Sequence, residues 1–452
     1  MPDIKEKIVI TGMGAVTPVG IGVENYWNAL LRGENGIAEI KQISTLDLPV
    51  THAAEIKNFD PRDYLSARCA SDLDPFMQFA YIAAEEAIRA SGLAAPTNRF
   101  GEAGKAGDAN SVSNANRVSN ANRVSNTNRV GDANRVGDAN RVGDANRVGI
   151  VMGTAIGGMT SIWHEHSDFI TNAKPVSPRF VSKSLSNTPA AYISIEYGIT
   201  GPSLTVSTAC SSGGDAVTTA ALLLRAGIVD AVVVMAGDSA INPLFIHSLS
   251  KAKALSKTGE SHPFDIARDG FVIGEGGGAI ILETERHALS RSARIEAELS
   301  GFMTGSDAFH PVSPSPDGTG AADCIRRALI EAGLDPTAIG YVNAHGTATV
   351  KGDIAESRAL NAIFGGNMPP VSSTKGSTGH MMGPGGITEI IACVKAIGTG
   401  TLPHTVGCTQ RDAECNVNLI TGAPMNKHID YAMSISLGFG GQNSSIIIGR
   451  YE

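Results

Sequence analysis

The stretch Val206-Ser-Thr-Ala-Cys210-Ser-Ser-Gly-Gly214 decides the fold, because it predicts a strand, a tight turn and a helix in direct succession. A short run at 203–206 leads into it, and a helical pattern follows from about Ser211 to Ala226 and ends at a glycine. The turn places a thiol where a helix begins, and the unpaired N–H groups and dipole of a helix terminus favour a thiolate. Cysteine is also a common small core residue. The stretch alone therefore leaves Cys210 open between a nucleophile and a packed side chain.

The composition is that of an ordinary globular protein and excludes several classes of function. The 452 residues are 42% hydrophobic and 18% charged, and the net charge of -8 argues against nonspecific binding of nucleic acid. No run approaches the roughly 18 apolar residues of a membrane-spanning helix, and the first residues show no secretory pattern. We therefore expect neither membrane insertion nor export. The six cysteines include no C-x-x-C pair, which predicts a reducing, cytoplasmic location.

Strand and helix patterns alternate along the chain, which predicts a layered α/β architecture. Residues 8–16 and 230–237 read as buried strands, and a helix pattern at 319–332 ends at Gly333. We expect an N-terminal half at residues 1–290 and a C-terminal half at residues 291–452.

Residues 98–147 differ in kind from the rest, because Ala-Asn-Arg-Val followed by Ser-Asn or Gly-Asp recurs every six residues. One valine per repeat is too little apolar surface to offset the entropy of ordering the segment, so we predict a mobile surface loop. The last copy runs into a core strand at Val148, which indicates repeated duplication of the start of that strand. A hexapeptide β-helix is the alternative, but the seven copies in the sequence would form only about two coils.

Polar residues gather where predicted strands end, namely Cys210, His345, Lys375, His380 and the glycine-rich turn at 438–441. Each of these histidines has a glycine neighbour. A thiolate nucleophile needs a partner that manages protons and donors that stabilise an oxyanion, and imidazoles and backbone N–H groups supply both. A metal site is the competing use of two histidines. No third ligand stands at a familiar spacing, so we expect no bound metal.

Six motifs occur in the order found in one known enzyme family. They are Thr208-Ala-Cys210-Ser-Ser-Gly, Pro263-Phe-Asp-x-x-Arg-Asp-Gly270, Gly274-Glu-Gly276, Asn343-Ala-His345-Gly-Thr-x-Thr349-x-x-Gly-Asp353, Ser373-Thr-Lys375-x-x-x-Gly-His380 and Gly438-Phe-Gly-Gly-x-Asn443. Apart from the repeat segment, the chain resembles the β-ketoacyl-[acyl carrier protein] synthases that use a Cys-His-His set, and among them the synthase II group. The resemblance implies an α/β, thiolase-like fold with five αβαβα layers built from two similar halves.

The resemblance also implies a reaction. Such enzymes are acyltransferases that condense an acyl group with a malonyl-carrier thioester in a decarboxylative Claisen reaction. They give a β-ketoacyl-carrier product in fatty acid or polyketide synthesis. The implied partner is an acyl carrier protein whose phosphopantetheine carries the substrates, and no cofactor is bound permanently. The implied assembly is a homodimer, with a heterodimer containing a chain-length-factor-like subunit as the alternative.

Four residues would carry the central chemistry by this resemblance. Cys210 would take up the acyl chain as a thioester, and His345 and His380 would bind the malonyl thioester carbonyl and promote loss of carbon dioxide. The backbone amides of Cys210 and Phe439 would form the oxyanion hole. The Phe439 ring matches an aromatic gate that opens once the acyl chain is loaded, with core packing as the alternative reading.

Four further residues match supporting positions of the family. Lys375 would adjust the local charge beside the second histidine. Glu389 matches a buried acid behind the site, with a simple salt-bridge partner on a helix face as the alternative. Thr347 and Thr349 match residues that bond the pantetheine arm.

Three departures from the family pattern bear on the pathway and the carrier. Ser211-Ser212 follow the cysteine as in specialised or polyketide-type synthases, and Gln442 stands where threonine is usual. After Arg68, the basic run that helps receive an acidic carrier protein is replaced by Cys-Ala-Ser-Asp-Leu-Asp. Lys174 and Arg179 remain as sources of positive charge, with solvated surface charge as the default reading. These departures favour a specialised pathway slightly over housekeeping fatty-acid elongation.

Two other functions stay open. A non-condensing partner subunit of a ketosynthase heterodimer would normally have lost the nucleophile, whereas Cys210 is present. A coenzyme A-dependent thiolase would need a second catalytic cysteine near the C-terminal glycine-rich turn, where Phe439 and Gln442 stand instead.

Overall fold

The computed structural model describes residues 6–97, 99–100 and 144–452. Most of the predicted repeat loop at 98–147 lies outside the described residues. At its end, Ala145–Arg147 form a 3₁₀ turn that leads into a buried strand, as the sequence predicts for residues from Val148 onward. Within the described ranges, no helix has the length and apolar character needed to cross a bilayer.

The described residues form fifteen strands and thirteen α-helices. The strands are β1 Ile8–Thr17, β2 Gly20–Ile21, β3 Ala38–Glu39, β4 His52–Ala53, β5 Val148–Gly153, β6 Ser203–Val206, β7 Ala231–Asp238, β8 Gly276–Thr284, β9 Ala297–Ser306, β10 Ile339–Asn343, β11 Val371–Ser372, β12 Thr401–Leu402, β13 Met425–Asn426, β14 Tyr431–Gly438 and β15 Gln442–Gly449. The α-helices are α1 Val23–Arg32, α2 Ala67–Asp72, α3 Pro75–Ser91, α4 Met159–Asn172, α5 Phe180–Ser184, α6 Thr188–Tyr197, α7 Ser212–Arg225, α8 Pro243–Lys251, α9 Glu285–Ser290, α10 Thr319–Ala332, α11 Val350–Phe364, α12 Lys375–Thr378 and α13 Gly383–Thr399.

Two sets of five strands repeat one topology. Their orders are β6-β5-β7-β8-β1 and β11-β10-β14-β15-β9, which are identical when the strands of each set are counted along the chain. In each set the first three strands are parallel, and the last two run antiparallel to their neighbours. A short pairing of β1 with β9 joins the sets into one hydrogen-bonded sheet. The repeat confirms the prediction of two similar halves, whereas the boundary after residue 290 stays a prediction.

Helices and strand sets alternate as five layers. Helices α7 and α13 contact each other and strands of both sets, so they form the middle layer. Helices α3 and α6 cover the outer face of the first set, and α10 packs on β9 and β15 of the second. Helix α11 packs against α10 and shares an apolar cluster with β10. Three large apolar clusters fill the spaces between these layers. Burial on both faces explains why strands such as β7 are apolar almost throughout. The predicted five-layer αβαβα fold is confirmed.

Candidate functional site

The predicted nucleophile lies on a tight turn between strand β6 and helix α7, as the sequence indicates. Ala209–Ser211 form a single 3₁₀ turn, and α7 begins at Ser212. Ala209 has a φ of 52°, a left-handed conformation that is uncommon for residues other than glycine. Backbone conformations of this kind cluster at functional sites. The turn thereby holds Cys210 at the N-terminal end of α7.

The two serines after the nucleophile connect this turn to both halves of the fold. The Ser211 hydroxyl donates to the Gln442 carbonyl at 2.8 Å, in the C-terminal half. The Ser212 hydroxyl accepts from the Thr208 N–H at 2.9 Å and lies 3.2 Å from the Thr154 carbonyl oxygen. The departure from the family pattern at these two positions therefore has a structural account, since small hydroxyls satisfy buried backbone groups around the turn.

Three side chains that are distant in sequence meet at one point. The Nε2 atom of His380 lies 3.0 Å from the Sγ atom of Cys210. The rings of His345 and His380 are 5.2 Å apart between centroids and nearly perpendicular. All three residues are buried, and the Phe271 ring packs edge-on against His380 at 5.1 Å. The structure therefore brings the predicted nucleophile and both predicted histidines into one site, hereafter the triad.

Burial controls the protonation of the triad. It lowers the pKa of His345 and of His380 well below the ordinary value, and the charge of Lys375 lowers both further, so the imidazoles are neutral at pH 7. Burial also raises the pKa of Cys210 to about 11, although the Phe439 backbone N–H and the Lys375 charge favour the thiolate. Desolvation therefore outweighs the thiolate preference predicted from the helix terminus. The Cys210 thiol is accordingly protonated at neutral pH.

A glycine-rich turn brings a backbone donor to the thiol. Strands β14 and β15 form the predicted antiparallel pair, joined by a 3₁₀ turn at Phe439–Gly441. The Phe439 backbone N–H faces the Cys210 thiol closely enough to favour its thiolate form. Gly438 permits this approach, because a Cβ there would lie 2.9 Å from the Thr208 carbonyl oxygen and 3.2 Å from the Cys210 nitrogen. The Phe439 side chain is 37% exposed, which argues against the core-packing reading.

An ion pair lies in the interior behind the triad. The Lys375 ammonium, at the start of α12, binds the Glu389 carboxylate, which α13 supplies, and both side chains are almost fully buried. Burial raises the pKa of Glu389 to about 7 in spite of this pairing. Glu389 is thus a buried acid behind the triad and, from helix α13, the salt-bridge partner of Lys375. The pair places one positive charge near two neutral imidazoles.

The two predicted pantetheine contacts line the same cleft as the triad. The cleft is lined by the triad together with Thr347, Thr349 and Phe439, among others. The hydroxyl oxygens of Thr347 and Thr349 are 3.1 Å apart. Thr347 is buried and Thr349 is half-buried.

Two buried acids that the motif comparison does not single out as site residues line the cleft, and one of them binds the backbone at His345. Glu356 accepts hydrogen bonds from the backbone N–H groups of His345 at 2.6 Å and of Gly346 at 2.8 Å. Asp353 accepts from the Phe264 N–H at 2.7 Å, and both acids line the cleft. The family motif contains Asp353, but nothing local in the sequence indicates that Glu356 holds the backbone of His345.

The triad also has the composition of a metal-ligand set. One ligand atom from each of Cys210, His345 and His380 lies within 4.8 Å of the others. Sequence reasoning missed this set, because its members are far apart in the chain and share no ligand spacing. Neutral imidazoles are the form that zinc binds, whereas the nearby Lys375 charge opposes a cation. The expectation of no resident metal stays a prediction.

The two cations that the sequence leaves as sources of positive charge, Lys174 and Arg179, are both paired with acids. The Lys174 ammonium lies 2.9 Å from the Asp168 carboxylate, and the Arg179 guanidinium lies 3.0 Å from the Asp72 carboxylate. Each positive charge is therefore offset locally. These two residues do not create a strongly basic surface for an acidic carrier.

The chain matches both domain descriptions of one family. Residues 5–131 and 131–288 match "Beta-ketoacyl synthase, N-terminal domain", and residues 296–409 match "Beta-ketoacyl synthase, C-terminal domain". The 3-oxoacyl-[acyl-carrier-protein] synthase 2 of Vibrio harveyi is 33% identical over 455 aligned residues, which cover 99% of each chain.

Two solved structures share the fold over nearly the whole chain. The ishigamide ketosynthase/chain length factor superposes with a TM-score of 0.84 at 27% identity, covering 99% of this chain and 100% of its own. The second is a type II PKS acyl-carrier protein in complex with its ketosynthase bound to the hexaketide. It superposes with a TM-score of 0.81 at 25% identity, covering 99% of this chain and 100% of its own.

Proposed function

The chain belongs to the β-ketoacyl synthase family, and we propose that its triad joins an acyl group to a malonyl unit, both delivered by an acyl carrier protein. Membership confirms the resemblance carried by the six motifs and identifies the chain as an acyltransferase-class condensing enzyme of fatty acid or polyketide synthesis. The observation that carries the site assignment is the 3.0 Å separation of Cys210 Sγ and His380 Nε2 beside the ring of His345.

The first half-reaction transfers the acyl group. The Cys210 sulfur attacks the carbonyl of the acyl-carrier thioester, and the new carbon–sulfur bond replaces the bond to the pantetheine sulfur. The thiol proton passes by way of the neutral His380 imidazole to the departing pantetheine sulfur, so charge is conserved. The backbone N–H groups of Cys210 and Phe439 stabilise the oxyanion that forms during attack.

The second half-reaction makes the carbon–carbon bond. Neutral His345 and His380 donate hydrogen bonds to the thioester carbonyl of the malonyl-carrier, whose carboxylate leaves as carbon dioxide. The resulting carbanion attacks the acyl-Cys210 carbonyl, and the carbon–sulfur bond breaks to release the β-ketoacyl-carrier. Cys210 is released as a thiolate and takes up one proton from solvent, because its original proton left on the pantetheine sulfur in the first half-reaction. Burial, helped by the charge of Lys375, keeps both imidazoles neutral, and each neutral ring still has one N–H to donate to the carbonyl.

The direct test is reconstitution with defined carriers. Purified protein, an acyl-[acyl carrier protein] and malonyl-[acyl carrier protein] should give a β-ketoacyl carrier that mass spectrometry resolves, with one carbon dioxide released per product. Cys210→Ala serves as the control and should form neither the acyl-enzyme nor the product. Unchanged condensation by Cys210→Ala would remove the basis of the proposal.

Two alternatives give different results in the same assay. A non-condensing partner subunit would form no product until a second ketosynthase was added, and would not depend on Cys210. A thiolase would cleave acetoacetyl-coenzyme A with coenzyme A and would need no malonyl carrier. Phe439 and Gln442 occupy the turn where a thiolase needs its second cysteine, which favours the condensing function.

The carrier's phosphopantetheine arm would reach the triad through the cleft. The paired hydroxyls of Thr347 and Thr349 support this route. Thr347→Val and Thr349→Val should raise KM for the malonyl carrier several-fold with less effect on the rate at saturation. Equal effects on acyl and malonyl carriers would locate the contact on the shared arm.

We propose a homodimer as the assembly. Strand β6 pairs with β5 alone among the described strands, so it is a free edge. Helices α4 and α5 bury none of their residues, and large apolar side chains are exposed on this side of the chain: Phe169, Ile170, Val181, Leu185 and Leu204. Light scattering should give twice the chain mass, and Leu204→Asp should lower it. A stable monomer would favour the heterodimer with a chain-length-factor-like subunit.

A reducing, cytoplasmic location is part of the proposal. All six cysteines are free thiols and all are buried, as expected for a chain that folds without disulfides. Fractionation of the native host would test this location.

A further inference from the structure

A buried carboxylate outside the triad connects the segments that carry it. Asp238 ends strand β7 and is fully buried. It accepts hydrogen bonds from the Thr154 hydroxyl at 2.7 Å, from the backbone N–H groups of Ala155 at 2.9 Å and Ile156 at 3.1 Å, and from the Gly383 N–H at 2.9 Å. Neither the motifs nor the proposed reaction assigns a role to this residue.

One side of this network leads to the turn that carries Cys210. The Thr154 carbonyl oxygen lies 3.2 Å from the Ser212 hydroxyl, which in turn accepts from the Thr208 N–H. The side chains of Ala155 and Ile156 pack on the same apolar cluster as Cys210. A displacement of the segment at 154–156 would therefore be transmitted to the turn before α7.

The other side leads to His380. Gly383 is the first residue of helix α13 and follows His380 by three positions, so its N–H has no partner within the helix. The Asp238 carboxylate, at the end of strand β7, supplies that partner and so caps the N-terminal end of α13 from outside the helix. The approach is close, because a Cβ on Gly383 would lie 2.7 Å from the carboxylate oxygen Oδ2.

We propose that Asp238 is a positioning residue that sets the separation between the sulfur of Cys210 and the imidazole of His380. Its two oxygens accept four hydrogen bonds. Three come from the segment at 154–156, which packs near Cys210, and one comes from Gly383, which follows His380. Asparagine has the same shape but offers one acceptor oxygen, and its NH₂ group would face backbone N–H groups. The expected effect on kcat rests on the proposed function. The position of the thiol does not, because the reactivity of Cys210 can be measured without turnover.

The test compares Asp238→Asn and Asp238→Ala with a matched control. Glu283→Gln removes another fully buried carboxylate, bound to Arg291, His287 and Thr11. Asp238 pairs with Gly276 at one end of the β7–β8 ladder and Glu283 pairs with Ala231 at the other, about 23 Å away by strand rise. The control therefore reports the general effect of losing a buried carboxylate on the same two strands.

The readouts separate positioning from folding stability. For both Asp238 variants we expect kcat for condensation to fall about tenfold or more, with KM for the malonyl carrier nearly unchanged, because misplaced reacting groups lower the rate of the chemical step. We also expect the pH profile of Cys210 alkylation by iodoacetamide, followed by peptide mass spectrometry, to shift from that of the wild type. Glu283→Gln should lower the thermal midpoint while leaving kcat and the alkylation profile in place.

Thr154→Val provides a second, milder variant, since it removes one of the hydrogen bonds to Asp238 with little change of shape. It should give an intermediate loss of kcat. If the Asp238 variants fail to fold, the kcat of Thr154→Val alone tests whether the Asp238 network positions the site. Wild-type kcat and alkylation profiles in the folded variants would overturn the inference while leaving the proposed function intact. Absence of condensation by the wild-type protein itself would instead overturn the proposed function.

Discussion

The Nε2 atom of His380 lies 3.0 Å from the Sγ atom of Cys210, although the two residues are 170 positions apart in the chain. The first belongs to the segment between α12 and α13, and the second to the turn between β6 and α7. Helices α7 and α13 form the middle layer and contact each other. The packing of these two helices therefore brings the thiol and the imidazole into contact.

His345→Ala should separate the two half-reactions. His345 is adjacent to His380, whereas His380 contacts the thiol. The variant should still form acyl-Cys210, because the nucleophile and its neighbouring imidazole remain, but decarboxylation should slow by about 10²- to 10⁴-fold. Mass spectrometry of the trapped acyl-enzyme and release of labelled carbon dioxide measure the two steps. Carbon dioxide release at the wild-type rate would show that His345 has no part in decarboxylation.

Removing one partner of the buried pair Lys375 and Glu389 should lower the free energy of unfolding far more than replacing both partners by apolar residues. Lys375→Met leaves the Glu389 carboxyl buried without its partner and should lower the free energy of unfolding by about 3–5 kcal/mol, because the carboxyl must then stay as a lone buried charge or take up a proton well above its ordinary pKa. The double variant Lys375→Met with Glu389→Leu should recover most of that loss. Urea unfolding of both single variants and the double variant measures the coupling. Additive losses would mean that the two side chains act independently.

Gly438→Ala should impair catalysis through a steric effect on the turn beside the thiol. The new Cβ would lie 2.9 Å from the Thr208 carbonyl oxygen and would push the Phe439 N–H away from the sulfur. Loss of one oxyanion donor lowers kcat by about 10²- to 10³-fold. Gly366→Ala is the control, because a Cβ at Gly366 would have no neighbour within 4 Å. Similar losses in both variants would point to a general effect of added methyl groups.

Glu275 should make the protein less stable as the pH rises toward neutrality. Burial raises its pKa from the ordinary 4.5 to about 7. Between these values the folded chain keeps a proton that the unfolded chain has released, so raising the pH across this window lowers the free energy of unfolding. The contribution of this one group is at most about 3 kcal/mol.

Glu275→Gln should flatten that part of the pH dependence, because a neutral amide does not titrate. Denaturant unfolding at pH 4.5, 6 and 7.5 for both proteins measures the difference. Asp74, Asp353 and Glu85 also have pKa values raised by burial, so a slope of reduced size should remain. Parallel curves for the two proteins would contradict the assignment to Glu275.

Condensation should not require a metal, although the triad resembles a ligand set. Prolonged dialysis against a chelator should leave turnover unchanged, because the proposed steps use only the thiol, the imidazoles and backbone donors. Added zinc should instead inhibit by occupying the thiol, and His345→Ala should weaken that inhibition. Loss of activity on chelation that zinc restores would establish a catalytic metal.

Local patterns along the chain were enough to predict the strand, turn and helix around Cys210 and the two α/β halves. The order of the motifs was enough to predict which residues form the triad. Four features could not be predicted without the packed chain: the 3.0 Å contact of thiol and imidazole, the raised pKa of Cys210, the hydrogen bond that the backbone N–H of His345 donates to Glu356 and the contacts of Asp238. Desolvation and backbone hydrogen bonding depend on which distant segments pack together, and no local pattern records that.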